Sequence, residues 1–342
     1  MIPPEPGSGN PASVEPARPI DRTRPGGGTF TIEGRSAPAL FVVGWLATLL
    51  GLGILAIGLL SGGGGAARLV ALVGLGLLSV GLVAGAGSQG IERRARGVLA
   101  YRGPSPILVF AASIPISLLA IVLLAMPFEW LGLMVDSPLG RLVSVAAQAL
   151  IYIGLVRLLV VDAGALSWAQ MGVRRLDRRA VRDLLAGAVW AAPVILATLP
   201  LAAVLGALLP VVPESPLPAT GELTGLVIQL VAGAVVAPVG EEVLFRGFAT
   251  TAWARGLGKR RGLVRAALFF ALVHVLTISG DSAAQAASLA VVGFATRVPV
   301  ALTLGWLFLR RRSIWTSIGL HAAFNAILLV IGEAALRGAG PV

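Results

Sequence analysis

The stretch LTGLVIQLVAGAVVAPVG, Leu223 to Gly240, is as long as a membrane-crossing helix and contains no charged side chain. A helix needs roughly 20 apolar residues to cross the hydrocarbon core of a bilayer. Glu241 and Glu242 follow directly, and the apolar sequence resumes on both sides of Arg246. This stretch predicts a membrane helix that carries ionisable groups, which are costly in lipid and therefore indicate a function.

The whole chain has the composition of a membrane protein. Of its 342 residues 56% are hydrophobic and 13% charged, and the mean hydropathy is +0.90. This composition predicts an all-α, polytopic transmembrane helix bundle. Apolar runs predict nine spans, near 37–61, 68–87, 105–126, 139–161, 184–209, 223–251, 262–279, 283–308 and 313–333. The seventh run is short, so eight spans are the alternative.

The runs divide the chain into four regions. These are a Pro/Gly-rich, disordered cytoplasmic tail (1–36), a four-span region (37–161), an amphipathic segment at the cytoplasmic interface (162–183), and a core that holds the ionisable groups (184–333). In the amphipathic segment, a helix-like pattern predicts that Trp168 and Leu176 face inward. The chain has no cysteine, which excludes disulfides and cysteine metal sites.

The basic residues predict which side of the membrane each loop faces. Most of the 27 lie in the tail and in 88–104, 162–183, 246–265 and 309–312. Cytoplasmic loops are enriched in Arg and Lys, so these segments are predicted to be cytoplasmic, with the C-terminus outside for nine spans. The net charge of +11 is then explained by basic residues that orient the chain in the membrane. This argues for a lipid bilayer and against nucleic acid as the partner. The bias toward arginine, with Lys259 the single lysine, suggests a bacterial plasma membrane.

Three spans carry polar side chains at helical spacing. They are Glu241, Glu242 and Arg246 on the sixth span, His274 after Phe270 on the seventh, and His321 and Asn325 on the ninth. With a rise of 1.5 Å per residue, Glu241, His274 and His321 lie at similar depths below the cytoplasmic ends of their spans. We therefore expect a single site that contains both histidines of the chain.

Helical spacing also predicts how these side chains are divided between roles. Glu242 and Arg246 are four residues apart and can pair on one helix face. Glu241 lies about 100° round the helix from Glu242 and can point elsewhere. His321 and Asn325 are also four apart, so both can reach toward the same point.

Two chemistries fit this set. Glu241, His274 and His321 can form a zinc site of two histidines and one carboxylate, with a fourth position for water. Alternatively, Glu241 and His274 hold a water directly, with Glu241 as the general base, while His321 and Asn325 donate to the oxyanion. Both predict hydrolysis of an acyl bond, a peptide bond above all, in a wet cavity that opens to the cytoplasm.

The ordered motifs EExxxR, FxxxH and HxxxN resemble the signature of the CPBP family. This family includes the CAAX prenyl proteases of the Rce1 type and the bacteriocin-processing and immunity proteins formerly called Abi. The resemblance covers roughly 184–332 and implies an intramembrane endopeptidase acting on a membrane-associated protein or peptide near its C-terminus.

The resemblance also assigns roles to the motif residues. It gives water activation to Glu241 and His274, oxyanion stabilisation to His321 and Asn325, and support of the site to Glu242 and Arg246. The family is called metalloprotease, but zinc stays open here. The prenylated substrate is not carried over, because the chain looks bacterial.

Other functions explain fewer of these residues. A non-proteolytic scaffold or a bacteriocin-immunity protein would keep the site for binding alone. A haem held by both histidines would not explain Glu241 and Asn325. A transporter predicts paired acids along a path or an inverted repeat, and the sequence shows neither. Arg297, within the eighth span, is expected to bond a neighbouring carbonyl or to snorkel.

Overall fold

The structure, a computed structural model, describes residues 34–338 except 98, 133, 135, 210 and 212–217. All regular elements in this part of the chain are helices. The predicted all-α class is thereby confirmed. Residues 1–33 of the predicted disordered tail lie outside the described residues.

Fifteen helical elements follow one another along the described chain. They are α1 (Pro38–Leu60), α2 (Gly65–Arg96), α3 (Pro106–Trp130), α4 (Pro138–Val156) with a π-helical turn (Arg157–Val161), α5 (Arg178–Ala188), α6 (Ala191–Leu208), α7 (Leu223–Leu230), a π-helical segment (Val231–Val236), α8 (Ala237–Glu242), a second π-helical segment (Val243–Thr250), α9 (Thr251–Leu257), α10 (Lys259–Val273), α11 (Ala283–Arg311) and α12 (Ile314–Gly338).

In the described residues, eight helical stretches are long and apolar enough to cross a membrane. Helices α5 and α6 form one of them, Arg178–Leu208, and α7 to α9 with their π-helical segments form another, Leu223–Leu257. The chain is therefore an integral membrane protein. Eight of the nine predicted spans correspond to these stretches.

The seventh predicted span, 262–279, differs from the others. Helix α10 has 15 residues and ends at Val273, where the sequence HVLTISG begins. Its β-branched residues and its glycine favour a helix less than the Ala/Leu/Phe run before them. Asp281 and Ser282 then line one cavity together with Leu208 at the end of α6. Between α9 and α11 the chain thus runs along the bundle as a short helix, α10, followed by a non-helical segment.

Two of the arginine-rich loops meet at one end of the bundle. Trp315 Nε1 donates to the carbonyl of Arg174 over 3.0 Å, and Arg174 donates to the carbonyl of Arg312. Buried Asp183 lies 3.9 Å from a guanidinium nitrogen of Arg174 and 3.6 Å from one of Arg311. The basic segments 162–183 and 309–312 are therefore neighbours, whereas the compartment that they face stays a prediction.

The amphipathic segment folds differently from the helix-like prediction. Residues 167–177 form turns, and α5 begins only at Arg178, where the side chain of Asp177 caps the helix by accepting from the amide of Ala180. Trp168 packs against the main core as predicted. The prediction for Leu176 is wrong, because its side chain is exposed. The turns break the regular helical spacing on which that prediction depended.

Helices α1 and α2 pack closely through glycines. A Cβ at Gly44, Gly51 or Gly58 would collide with the backbone of α2. Small residues let backbones approach in membranes, where van der Waals contact is the main attraction between helices. Most of the surface of α1 remains open, as expected for a helix at the lipid-facing edge of a bundle.

Candidate active site

The two adjacent glutamates stand on a short α-helical stretch between two π-helical segments. Helix α8, Ala237–Glu242, is flanked by Val231–Val236 and Val243–Thr250. Pro238 has no amide hydrogen to give to the helix ladder, which frees a carbonyl one turn earlier. π-Helical bulges inside α-helices are frequent at functional sites because they re-aim side chains. Helix α4 lies against this stretch, since a Cβ at Gly240 would stand 2.6 Å from the Cα of Ala149.

Glu242 holds two partners in a sealed interior. Its Oε1 accepts a 2.9 Å hydrogen bond from Nη1 of Arg246 and lies 2.8 Å from Nδ1 of His321. The side chains of Glu242 and Arg246 are 0% and 2% exposed. The pair expected from the four-residue spacing is present. The contact with His321 comes from another helix, 79 positions along the chain, and no local pattern predicts it.

Glu241 points away from this pair, toward both histidines. Its Oε2 lies 3.4 Å from Nε2 of His274 and 3.9 Å from Nε2 of His321. The side chains of Glu241 and His274 are 18% and 27% exposed, so both residues border the surface although Oε2 itself is buried. The structure thus brings together the three residues whose depths in their spans agree.

The hydrogen bond of His274 fixes which of its nitrogens faces Glu241. Its Nδ1 lies 2.7 Å from the carbonyl oxygen of Phe270, which can only accept. The Nδ1 atom is therefore a donor, and Nε2 faces the carboxylate. Oε2 of Glu241 is buried and has no hydrogen-bond partner among the described residues. A water between Oε2 and Nε2 would supply the donor that this oxygen lacks.

The contact with Glu242 also orients the ring of His321. A carboxylate oxygen can only accept, so Nδ1 of His321 is the donor in this contact. Its Nε2 therefore faces the same space as Oε2 of Glu241.

Asn325 lies at the first π-helical segment. Its Nδ2 donates a 2.8 Å hydrogen bond to the carbonyl of Gly233. The amide has a second N–H, which this bond orients and leaves for another acceptor. Among the described contacts, none joins Asn325 to Glu241, His274 or His321, so its place in the oxyanion site stays a prediction.

Phe270 forms the aromatic wall between the two halves of the site. The Arg246 guanidinium carbon lies 4.1 Å from the centre of its ring, as in a cation–π contact. The His274 ring is 4.2 Å from the Phe270 ring between centroids, and that of His321 is 5.9 Å away. Phe270 therefore positions Arg246 and both histidines, a larger part than its hydrophobic character suggests.

The donor types of the site match those of zinc. Two imidazoles and a carboxylate are known zinc ligands, and both Nδ1 atoms have acceptors, as in many metal sites. In the described part of the chain, no group of three or more His, Asp or Glu side chains is arranged to hold a metal ion. Zinc at Glu241, His274 and His321 therefore stays a prediction.

A comparison with protein families identifies one segment of this chain. Residues 223–327 match the Rce1-like family, the type II CAAX prenyl endopeptidases. The match confirms the resemblance seen in the motifs. It covers less than a third of the chain and includes Glu241, Glu242, Arg246, His274, His321 and Asn325.

The match is narrower than the resemblance in the motifs suggested. The Rce1-like segment begins at α7, so the predicted span 184–209 and everything before it lie outside it. Searches of curated proteins and of solved structures found no match. The Rce1-like family is a peptidase family, which supports an intramembrane endopeptidase activity in general terms.

Proposed function

We propose that this protein is an intramembrane endopeptidase that hydrolyses a peptide bond of a membrane-associated protein or peptide. One observation carries the proposal: the buried Oε2 of Glu241, which has no hydrogen-bond partner among the described residues, faces Nε2 of both histidines. The Rce1-like match of the same segment supports it independently.

Glu241 and His274 prepare the attacking water. The water donates one proton toward Oε2 of Glu241 and the other toward Nε2 of His274, so that its oxygen lone pair points at the scissile carbonyl. Glu241 accepts a proton as the water attacks, which is general base catalysis. It then passes this proton to the leaving amine when the C–N bond breaks.

His321 and Asn325 stabilise the negative oxygen of the tetrahedral intermediate. Protonated His321 donates from Nε2, while Glu242 holds the ring by its Nδ1 hydrogen. Asn325 donates with the N–H that Gly233 does not use. Such donors act strongly in a low-dielectric site, because they are oriented before the charge develops.

The arginine-rich end of the bundle supports a cytoplasmic opening of the site. That end is cytoplasmic by the positive-inside rule, in a bacterial plasma membrane. The substrate would approach from the bilayer or from its cytoplasmic surface. The alternative is a scaffold or bacteriocin-immunity protein, in which the same residues bind a peptide without cutting it.

Substitution of Glu241 distinguishes these two functions. We expect Glu241→Gln and His274→Ala to abolish cleavage, with normal expression and insertion, and the exposed Glu222→Gln to behave as wild type. The measurement is mass spectrometry of C-termini in membranes from a deletion strain complemented by each variant. Fragments that appear only in the strains carrying the wild type or Glu222→Gln support hydrolysis. Full complementation by Glu241→Gln would establish the scaffold.

A further inference from the structure

A groove lies along α2 near its C-terminal end, between the start of α1 and the π-helical turn that follows α4. Its volume is about 280 Å³. Among the described residues, all but one of those that line it are apolar or glycine, including Leu40, Val83, Gly87, Ile91, Leu158 and Leu159. The exception is Arg94, whose charge is costly to place in apolar surroundings. The groove lies outside the segment that matches the peptidase family.

The guanidinium of Arg94 is folded back along α2. A Cβ at Gly90, one turn earlier, would stand 3.6 Å from its Nη1. Arginines near the ends of membrane helices usually extend their charge toward water, as the exposed Arg96 can at the end of α2. Nη1 of Arg94 is instead buried and has no hydrogen-bond partner among the described residues. A buried charged donor is costly without an acceptor, so this nitrogen needs one.

The acids near the groove are already paired with other arginines. Glu92, two residues before Arg94, accepts a 2.8 Å hydrogen bond from Arg35. Asp162, just after the π-helical turn, lies 3.6 Å from a guanidinium nitrogen of Arg157. None of the ion pairs among the described residues includes Arg94. The described part of the chain therefore supplies no anion for Arg94.

The two parts of the groove define the chemistry of a ligand. A guanidinium matches the oxygens of a phosphate, and an apolar lining suits a hydrocarbon chain. A phospholipid has both parts, whereas free phosphate would leave the lining without contacts. Arg93 and Arg96 share the last turn of α2 with Arg94, while Arg35 neutralises Glu92. These charges favour an anionic headgroup over one that carries an ammonium group, as in other basic pockets between membrane helices.

We propose that this groove binds one anionic phospholipid, with its phosphate at Arg94 and one acyl chain along the apolar lining. The lipid fills the space between α2 and the π-helical turn, where Leu159 belongs to the same hydrophobic core as Phe245. It thereby adds a contact between the α1–α2 pair and the core of the bundle. This site does not depend on the proposed peptidase activity.

Lipid titration of the full chain in detergent tests the headgroup. Native mass spectrometry compares phosphatidylglycerol with phosphatidylethanolamine of identical acyl chains. We expect the wild type to bind one phosphatidylglycerol ~10-fold more tightly, as for a charge-assisted hydrogen bond. Arg94→Gln should lose this preference, and Arg96→Gln, at an exposed position of the same turn, is the matched control that should keep it. Equal affinity of the wild type for both lipids, or an unchanged preference in Arg94→Gln, would overturn the proposal.

Filling the groove tests the acyl chain. Outside its own helix, a Cβ at Gly87 would meet only Cδ2 of Leu40, at 3.5 Å, so Gly87→Leu extends into the groove without a backbone collision. A Cβ at Gly76, also in α2, would meet nothing within 4 Å, which makes Gly76→Leu the matched control. We expect Gly87→Leu to weaken phosphatidylglycerol binding ~10-fold and Gly76→Leu to leave it unchanged. Unchanged binding in Gly87→Leu, or displacement of the lipid by inorganic phosphate, would overturn the assigned place of the chain.

The thermal midpoint in detergent separates lipid binding from folding. A ligand that binds the folded state stabilises it, so phosphatidylglycerol should raise the midpoint of the wild type and of Arg96→Gln. It should leave the midpoint of Arg94→Gln unchanged. The same rise in Arg94→Gln as in the wild type would mean that the lipid acts elsewhere and would overturn the proposal.

Discussion

His321 and Glu242 meet across the bundle, and Nδ1 of the histidine lies 2.8 Å from the carboxylate oxygen that also accepts from Arg246. One oxygen atom therefore joins the sixth and ninth predicted spans and neutralises the arginine between them. Glu241, its neighbour in the chain, keeps its Oε2 free for the space between the histidines. Two adjacent identical residues thus have separate surroundings: Glu242 organises the interior, and Glu241 faces the space between the histidines.

The pair of Glu242 and Arg246 predicts non-additive effects on stability. Glu242→Met or Arg246→Met alone leaves a buried charge without its partner and should lower the free energy of unfolding by about 3–5 kcal/mol. The double variant removes both charges and should recover most of that loss. It should remain inactive, because His321 no longer has its carboxylate. Unfolding in mixed micelles measures the stability, and additive losses would show that the two charges do not depend on each other.

Asn325 offers a test of oxyanion stabilisation. Asn325→Ala should lower kcat by ~10²- to 10³-fold with little change in KM, as for the loss of an oxyanion donor in other hydrolases. Steady-state kinetics with a single quenched fluorescent peptide that the wild type cleaves provides both values. The thermal midpoint serves as the control, since loss of the bond to Gly233 also affects packing. An unchanged kcat, or an effect on KM alone, would contradict the assigned role.

The path of α10 can be tested with single cysteines, because the natural chain has none. Lys259→Cys stands at the first residue of α10 and Asp281→Cys after its end, both at exposed positions. We expect a membrane-impermeant maleimide to label Asp281→Cys from outside intact cells and Lys259→Cys only after permeabilisation. Labelling of both positions from one side would mean that α10 enters and leaves the membrane on the same face. The chain would then have eight crossings.

Removal of metal tests whether the site acts without a cation. In the proposed mechanism Glu241 and His274 hold the attacking water themselves, so we expect activity to survive dialysis against 1,10-phenanthroline. Metal analysis of the purified protein should find less than one zinc per chain. Loss of activity on chelation, restored by zinc but not in His321→Ala, would instead establish the zinc arrangement of Glu241, His274 and His321.

Much of the fold followed from sequence because apolar length is a local property. The long helices, the Glu242–Arg246 pair and the common depth of Glu241, His274 and His321 depend on counting along one helix at a time. The bond of Arg297 to Gly293 is also local, four residues apart.

The remaining features depend on contacts between helices or on local departures from α-helical geometry. The π-helical turns beside Glu241, the end of α10 at Val273 and the exposure of Leu176 break the regular period on which sequence interpretation rests. The contacts of His321 with Glu242 and of Asn325 with Gly233 join residues that are distant in the chain. Pro238 gives a sequence signal for the contact of Asn325 with Gly233. Because proline has no amide hydrogen, it leaves a carbonyl free one turn earlier, near Gly233.

The bare α-carbon of Gly240 determines how far the carboxylate of Glu241 stands from helix α4. This helix touches it through Ala149, outside the segment that matches a peptidase family. Even one methyl group at Gly240 would push these backbones apart and move Glu241, the next residue, away from its imidazole partners. Helix α4 therefore takes part in setting the distance between Glu241 and the histidines, and the matched segment without α4 would lose the surface against which Gly240 packs.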